Sequence, residues 1–176
     1  MNAIRDDFPP QLKKFFINLQ NYLDTDIYFY GSVNRPDYVA GKSDIDIAIF
    51  TDNEYSIMTK LQHYLHIPKK AFDKVVWKLE GQMIYGYKLK CEKYVSLNEA
   101  KKCEIAIYNN EFKDILMKEY YNEIPIHISI ILFILKTFYY IIPLLPSKTY
   151  VKFKRYIFNT LMLNKQNSVF FLINQT

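Results

Sequence analysis

Residues 28–50 read YFYGSVNRPDYVAGKSDIDIAIF, and two aspartates, Asp44 and Asp46, stand one residue apart at the start of its last apolar run. The segment DIDIAIF alternates with period two, which is typical of a β-strand. Because successive side chains of a strand point to opposite faces, Asp44 and Asp46 share one face, with Cα atoms roughly 6–7 Å apart. The three isoleucines of the segment then face the other way, into a core.

Such neighbouring carboxylates need a compensating charge, because they repel each other and resist desolvation. A divalent metal meets that need. Hard oxygen ligands suit Mg²⁺, which takes few protein ligands and completes its shell with water and substrate phosphates. An Asp-x-Asp pair alone is weak evidence, since exposed strand edges also carry acidic pairs. The pair therefore predicts a metal site only if its surroundings agree.

The surroundings agree at Gly31 and Ser32, which end the preceding apolar run. A glycine lets backbone N–H groups approach a phosphate closely, and the serine hydroxyl adds a further donor. A phosphate cradle and a metal site on neighbouring strand ends together describe a pocket for a nucleoside triphosphate such as ATP.

Outside this stretch, hydrophobic periodicity predicts further helices and strands. One helix spans about Pro10 to Leu23, and a second opens with a capping box from Thr51 to Glu54 and ends near His66. Three strands rich in β-branched or aromatic residues form a meander over residues 72–79, 83–95 and 103–110. Later helices are predicted within residues 111–121, 123–142 and 148–163.

These elements predict an α+β fold with one mixed β-sheet of about five strands flanked by helices. A chain of 176 residues is long enough to bury a real core. We expect a core over residues 1–110 and a helical, basic C-terminal region over residues 111–176 that packs on it.

The spacing of the motif resembles a known signature. Gly31-Ser32, eleven intervening residues and Asp44-x-Asp46 within an apolar strand look like the DNA polymerase β-like nucleotidyltransferase superfamily. Ser43, immediately before the first aspartate, is part of the likeness. The superfamily includes poly(A) polymerases, CCA-adding enzymes and small minimal nucleotidyltransferases. The resemblance covers about half of the chain and implies a nucleotidyltransferase-type sheet.

The superfamily also requires a third carboxylate on a later strand, and Glu104 in KKCEIAIYNN is the best candidate. Period two places Glu104 on one face with Ala106 and Tyr108, at the opening of an apolar strand. Family members usually carry Asp here, and Glu is longer by one methylene. The alternatives, which read as strand-end or exposed charges, are Asp73, Glu80 and Glu92.

The resemblance implies transfer of a nucleoside monophosphate from a nucleoside triphosphate to an acceptor hydroxyl, with two Mg²⁺ ions. Asp44 and Asp46 would bind the ions, and Glu104 would complete the second site and help to deprotonate the hydroxyl. Two cations about 4 Å apart lower the pKa of the attacking oxygen and neutralise charge on the leaving pyrophosphate. Gly31 and Ser32 would hold the β and γ phosphates.

Arg35 and Ser43 complete the expected nucleotide-binding set. Arg35 stands in Gly-Ser-Val-Asn-Arg-Pro, where many minimal members read Gly-Ser-x-Ala-Arg-Gly. Pro36 replaces the glycine and pushes Arg35 toward extended conformations. The other interpretation of Arg35 is a surface charge on a loop.

The C-terminal part of the chain has a one-sided charge. The net charge is +5, yet 17 basic and 18 acidic residues precede residue 124, and six basic but no acidic residues follow it. This asymmetry favours an anionic partner, or a solvated basic face on terminal helices. The segment KTYVKFKRYIF, residues 148–158, interleaves basic and aromatic residues, which suits single-stranded nucleic acid or an amphipathic helix with its aromatics in the core.

Residues 124–145 are apolar enough to raise the question of a membrane span. Lys136 lies inside the segment, acidic residues precede it and basic residues follow it. The positive-inside rule would then put the Asp44 site outside the cell, away from triphosphates. We therefore expect a buried core helix that packs on the sheet, without membrane contact.

Cys91 and Cys103 are the only cysteines, and the N-terminal residues do not resemble a signal peptide. Two cysteines without a His or Cys set make a poor zinc site. We expect free thiols and a reducing, cytoplasmic location.

The acceptor stays open at this point: an RNA end, a protein or a small molecule all fit. About 65 residues follow Glu111, fewer than the extra helical domain of poly(A) polymerases needs, which disfavours processive polymerisation without a protein partner on the C-terminal helices. Two other functions remain. One is a catalytically inactive descendant that serves as an assembly subunit, and the other is an antitoxin-type enzyme that modifies a partner protein.

Overall fold

The computed structural model describes residues 4–93, 103–121, 124–142, 144–157 and 169–173, the last of these as backbone. The helices are α1 (Pro10–Leu23), α2 (Glu54–Leu65), α3 (Lys113–Tyr120), α4 (Ile126–Lys136) and α5 (Ser147–Tyr156). The strands are β1 (Ile27–Tyr30), β2 (Ile45–Thr51), β3 (Phe72–Leu79), β4 (Gln82–Lys90), β5 (Cys103–Asn109) and β6 (Val169–Ile173).

The strands form one mixed sheet in the order β1-β2-β5-β4-β3-β6. Among the described strands the β2–β5 pair is parallel and the other pairs are antiparallel. The predicted α+β class, the five predicted strands and the β3–β4–β5 meander are confirmed. Strand β6 at the sheet edge was not predicted. Its residues, VFFLI, form a short apolar run that periodicity alone does not assign to a strand.

The two faces of the sheet bury different sets of residues. One face carries the three isoleucines of the opening stretch and packs on α1 and α2, in a core that includes Phe16, Leu19 and Leu61. The other face carries Ala48, Phe50, Ala106 and Tyr108. Residues of α3, among them Leu116, pack on this face. Period two therefore puts Asp46 on the second face, two residues before Ala48.

The start of α2 differs from the prediction. Asn53, and not Thr51, caps the helix, and its side chain accepts a hydrogen bond from the N–H of Ser56 at 3.0 Å. Thr51 is the last residue of β2, and its hydroxyl accepts from the N–H of Asn53 at 3.1 Å. The capping-box prediction was wrong because the strand runs one residue further than the apolar pattern shows.

The apolar segment also differs from the prediction of a core helix on the sheet. Helix α4 buries Ile128, Leu132 and Lys136, and the first two form a separate small cluster with Ile157. Its outer face stays open, with Ile126 79% exposed. The other exposed apolar side chains of this region include Ile130, Ile131, Phe133, Ile134, Phe138, Ile141, Ile142 and Leu144. In the part of the chain that the structure describes, no helix has both the length and the apolar character to cross a bilayer.

A buried ion cluster joins α4 to the loop between β1 and β2. Asp37 is 0% exposed and Lys136 is 3% exposed. The Lys136 ammonium lies 2.9 Å from one carboxylate oxygen of Asp37, and the Arg35 guanidinium lies 2.8 Å from the other. Burial alone would raise the pKa of Asp37, but hydrogen bonds from Arg35 and Lys136 outweigh it and lower the pKa. This explains why a lysine interrupts the apolar segment.

Candidate functional site

Asp46 lies between two strands that each place a polar side chain beside it. In the antiparallel β1–β2 pair Tyr30 is opposite Asp46, and in the parallel β2–β5 pair Glu104 is opposite Asp46. Residues that share a register position share a face, and neighbouring strands lie about 4.8 Å apart. The two carboxylates are therefore cross-strand neighbours. None of the alternatives to Glu104 stands next to β2: Asp73 is on β3, Glu80 at the β3–β4 turn, and Glu92 in a short 3₁₀ helix after β4.

Gly31 lies directly against Asp46. It begins a short 3₁₀ helix, Gly31–Asn34, with φ +72°. A Cβ atom on Gly31 would stand 2.8 Å from Oδ2 of Asp46, closer than such atoms approach. The positive φ favours glycine, and a side chain here would also require the Asp46 carboxylate to shift. The sequence analysis placed the Gly-Ser turn and the aspartates at one pocket, and the structure brings Gly31 into contact with Asp46.

Aromatic side chains lie on the face of the sheet that carries the carboxylates. Tyr30 of β1 stacks on Tyr120 of α3, with ring centroids 3.9 Å apart, and the Trp77 indole N–H of β3 donates to the hydroxyl of Tyr108 on β5 at 3.1 Å. Burial, followed by the charge of Asp46, raises the pKa of Tyr30. Asp46 therefore shares its face of the sheet with a largely aromatic and apolar set of side chains.

The surroundings of Asp46 disfavour its ionised form. Burial is the largest cause that raises its pKa, to about 6, and the charges of Glu104 and Asp44 add to the effect. Lys88 and Lys154 act in the opposite direction without cancelling it. The site therefore holds a partly desolvated carboxylate with negative neighbours, which is the condition that favours binding of a cation.

Lys88 of β4 pairs with Glu104, and the sequence analysis did not identify it. The ammonium contacts Oε2 of Glu104, and the two side chains are 20% and 25% exposed. Lys88 is opposite Ala106 in register. Ala106 lies two residues after Glu104 on β5, so Lys88 and Glu104 lie on the same face of the sheet. Strand periodicity could have placed Lys88 on one face of β4, but only the register shows which carboxylate it reaches.

The other predicted residues occupy less direct positions. Asp44 is exposed and ends the loop just before β2. Its charge raises the pKa of Tyr140 after burial, and it also adds to the raised pKa of Tyr150, where burial and Tyr140 act more strongly. The Ser43 side chain is buried, and its oxygen accepts from the N–H of Val39 at 3.1 Å. Arg35 binds Asp37 through Nε and Nη2.

Ser32 is half-buried in the 3₁₀ helix after Gly31, and its carbonyl accepts from the N–H of Arg35 at 3.0 Å. Ser32 thus lies one residue from the Gly31–Asp46 contact. The Ser43 hydroxyl, in contrast, is used inside its own loop.

The donor set fits a hard cation, although the described ranges contain no cluster of three His, Cys, Asp or Glu side chains around one point. Burial disfavours the ionised form of Asp46, with Glu104 and Asp44 adding to the effect, and Asp44 offers an exposed carboxylate two residues away. Carboxylate oxygens are the ligands that Mg²⁺ prefers, with water completing its shell. Glu104 is the exception, since a cation already contacts its carboxylate.

Another cleft lies away from these carboxylates. It has a volume of about 490 Å³ and is lined by residues of α2, β3 and β4, among them Tyr55, Lys74 and Tyr87. None of the predicted site residues lines it, so volume alone does not indicate the site in this molecule. Both cysteines are free and buried, as expected.

Replacing Asp46 by Asn should stabilise the fold at neutral pH. The pKa of Asp46 rises from 3.8 to about 6 on folding, so the ionised form is disfavoured in the folded protein, and wild-type stability falls as pH rises between these values. We expect Asp46→Asn to raise the free energy of unfolding at pH 7.5 by roughly 1–2 kcal/mol, and by less at pH 4. Urea denaturation at both pH values measures this. The exposed Asp26→Asn is the control, and a destabilised Asp46→Asn protein at pH 7.5 would contradict the account.

Replacing Gly31 by Ala should cost more stability than the same change at Gly41. Both glycines have positive φ, +72° and +69°, so both variants carry backbone strain of about 1 kcal/mol. Only Gly31 has an atom in the way, because the space around Gly41 is open. In an Asp46→Ala background we expect the cost of Gly31→Ala to fall to that of Gly41→Ala. Equal costs in the wild-type background would show that the Gly31–Asp46 contact is not present.

Comparison with known proteins gives one match. The family model described as "Nucleotidyltransferase domain" matches residues 10–155, from the start of α1 to the last turn of α5. No curated protein and no solved structure shows a significant match to the chain. The matched range includes the Gly31-Ser32 turn, both aspartates and Glu104. The chain therefore belongs to the nucleotidyltransferase domain family.

Proposed function

We propose that the chain transfers a nucleoside monophosphate from a nucleoside triphosphate to an acceptor hydroxyl, using Mg²⁺. The observation that carries the proposal is the arrangement at Asp46. A positive-φ glycine lies against its carboxylate on one strand, and Glu104 stands opposite it on the next. The first feature suits a phosphate and the second suits a cation. Membership of the family supplies the general reaction, nucleotidyl transfer.

In this reaction the acceptor oxygen bonds to the α-phosphorus, the bond from that phosphorus to the bridging oxygen of the β-phosphate breaks, and pyrophosphate leaves. The hydroxyl proton passes to a base. Mg²⁺, when bound, neutralises charge on the phosphates and lowers the pKa of the attacking hydroxyl. In the two-metal arrangement that we propose, Asp44 and Asp46 hold the ions, and Glu104 binds the second ion and assists the proton transfer.

The turn after β1 would hold the triphosphate. Gly31 leaves the space beside the Asp46 carboxylate free of a side chain, and Ser32 follows it with a hydroxyl donor. Arg35 uses two of its nitrogens on Asp37, so only its remaining N–H groups are offered to a phosphate. Ser43 supports the loop that carries Asp44 and need not touch the nucleotide to do so.

The C-terminal helices would supply the remaining contacts. Lys136 and Lys42 tie the α4 region to the β1–β2 loop, through Asp37 and through the backbone carbonyl of Tyr140. Lys154 of α5 acts electrostatically on Asp46. This arrangement supports an acceptor, either an RNA or a protein, that approaches between the helices and the sheet. A reducing, cytoplasmic location with access to triphosphates is part of the proposal.

An assembly role is the second candidate, and the exposed apolar face of α4 favours it. A monomer rarely exposes so many contiguous large apolar side chains, and such patches commonly mark interfaces. A protein partner on this face is compatible with catalysis, as in an antitoxin-type enzyme that modifies its partner. It would be the main function only if the carboxylates bind nothing.

Calorimetry with each nucleoside triphosphate in the presence and absence of Mg²⁺ tests the proposal. We expect Mg²⁺-dependent binding that falls by about tenfold or more in Asp44→Asn and Asp46→Asn, because each change removes a charged ligand oxygen. Asp73→Asn, an aspartate on β3 of the same sheet, is the matched control and should bind like wild type. Binding that is absent, or unchanged in both site variants, would refute the enzymatic role and leave the assembly role.

A further inference from the structure

We propose that Lys88 is a built-in cation at Glu104, and that it limits the loading of a second divalent ion at this site. The inference rests on the proposed function, because it concerns the same carboxylates. It predicts unequal cation binding: Asp44 and Asp46 take an ion readily, whereas Glu104 takes one only when the Lys88 ammonium moves away.

The contact between Lys88 and Glu104 is part of the sheet, since both residues belong to described strands that pair with each other. Their register is fixed by five paired positions between β4 and β5, from Gly86–Tyr108 to Lys90–Glu104. The Lys88 side chain is only 20% exposed, so the surrounding chain confines it near Glu104. The position of its ammonium is therefore set by the fold and does not depend on a flexible loop.

Lys88 also acts on the neighbouring carboxylate. Its charge opposes the effect of Glu104 on Asp46, which means that one ammonium serves two adjacent carboxylates. Two like charges a few Å apart in a partly buried site repel each other strongly, because the surroundings screen them less than water does. A divalent ion at Glu104 and the Lys88 ammonium in its present place therefore exclude each other.

Lys90 offers a matched control on the same strand. It is directly opposite Glu104 in register, and its side chain is exposed to solvent. Removing either lysine changes the net charge of this face by the same amount. Only the loss of Lys88 frees the Glu104 carboxylate. The comparison separates a local contact from a general change of electrostatic potential.

The test is a titration of the full chain with Mn²⁺ alone, followed by the electron paramagnetic resonance signal of the free ion. We expect wild-type protein to bind one ion more tightly than a second. In Lys88→Met the second ion should bind about tenfold tighter or more, as removal of a like charge beside the ion requires. Lys90→Met should match wild type, and Lys88→Met/Glu104→Gln should lose the gain. Lys88→Gln repeats the measurement if Lys88→Met does not fold.

Two results would overturn the inference. One is an unchanged affinity for the second ion in the Lys88 variants, and the other is an equal gain in Lys90→Met. The proposed function fails by a different result, namely Mn²⁺ binding by wild type that Asp46→Asn does not weaken. The three outcomes are measured in one set of titrations, so that they remain distinguishable.

Discussion

The parallel pairing of β2 with β5 is the constraint on which the site depends. It places Asp46 opposite Glu104, on the face of the sheet that also buries Ala48, Ala106 and Tyr108. Burial of the Asp46 carboxylate disfavours its ionised form and raises its pKa to about 6. The fold thus holds Asp46 in an environment that disfavours its ionised form, as binding sites commonly do.

The second constraint ties the C-terminal helices to this site. Lys136 is buried in an otherwise apolar segment because Asp37, in the loop before β2, accepts its ammonium. Breaking a buried ion pair of this kind usually costs more than a surface pair contributes. Arg35, on the other side of Asp37, belongs to the same cluster, so a residue of the phosphate motif is also a structural residue. Asp37, in the loop between Gly31 and Asp44, is therefore bound both by Arg35 of the same loop and by Lys136 of α4.

The sequence was sufficient for the local part of the fold. Period two predicted β2, which begins at Ile45 rather than at Asp44, and helical spacing predicted α1 at its observed bounds. It did not predict β6, because short apolar runs lack a distinctive period. It also failed for α4, where a hydrophobic composition suggested a core helix but the sheet was already covered by α1, α2 and α3.

For the site, the sequence grouped Gly31-Ser32 with Asp44 and Asp46 and preferred Glu104 as the third carboxylate, and the strand register places Glu104 opposite Asp46. Lys88 was missed because side-chain neighbours across strands depend on register. The central claim is that Asp44, Asp46 and Glu104 hold divalent cations beside a triphosphate. A crystal structure with Mn²⁺ and a non-hydrolysable nucleoside triphosphate tests it most directly. The account predicts an anomalous peak within ligand distance of Asp44 and Asp46 and phosphates at Gly31-Ser32. Ordered nucleotide elsewhere on the molecule, with no ion near Asp46, would contradict it.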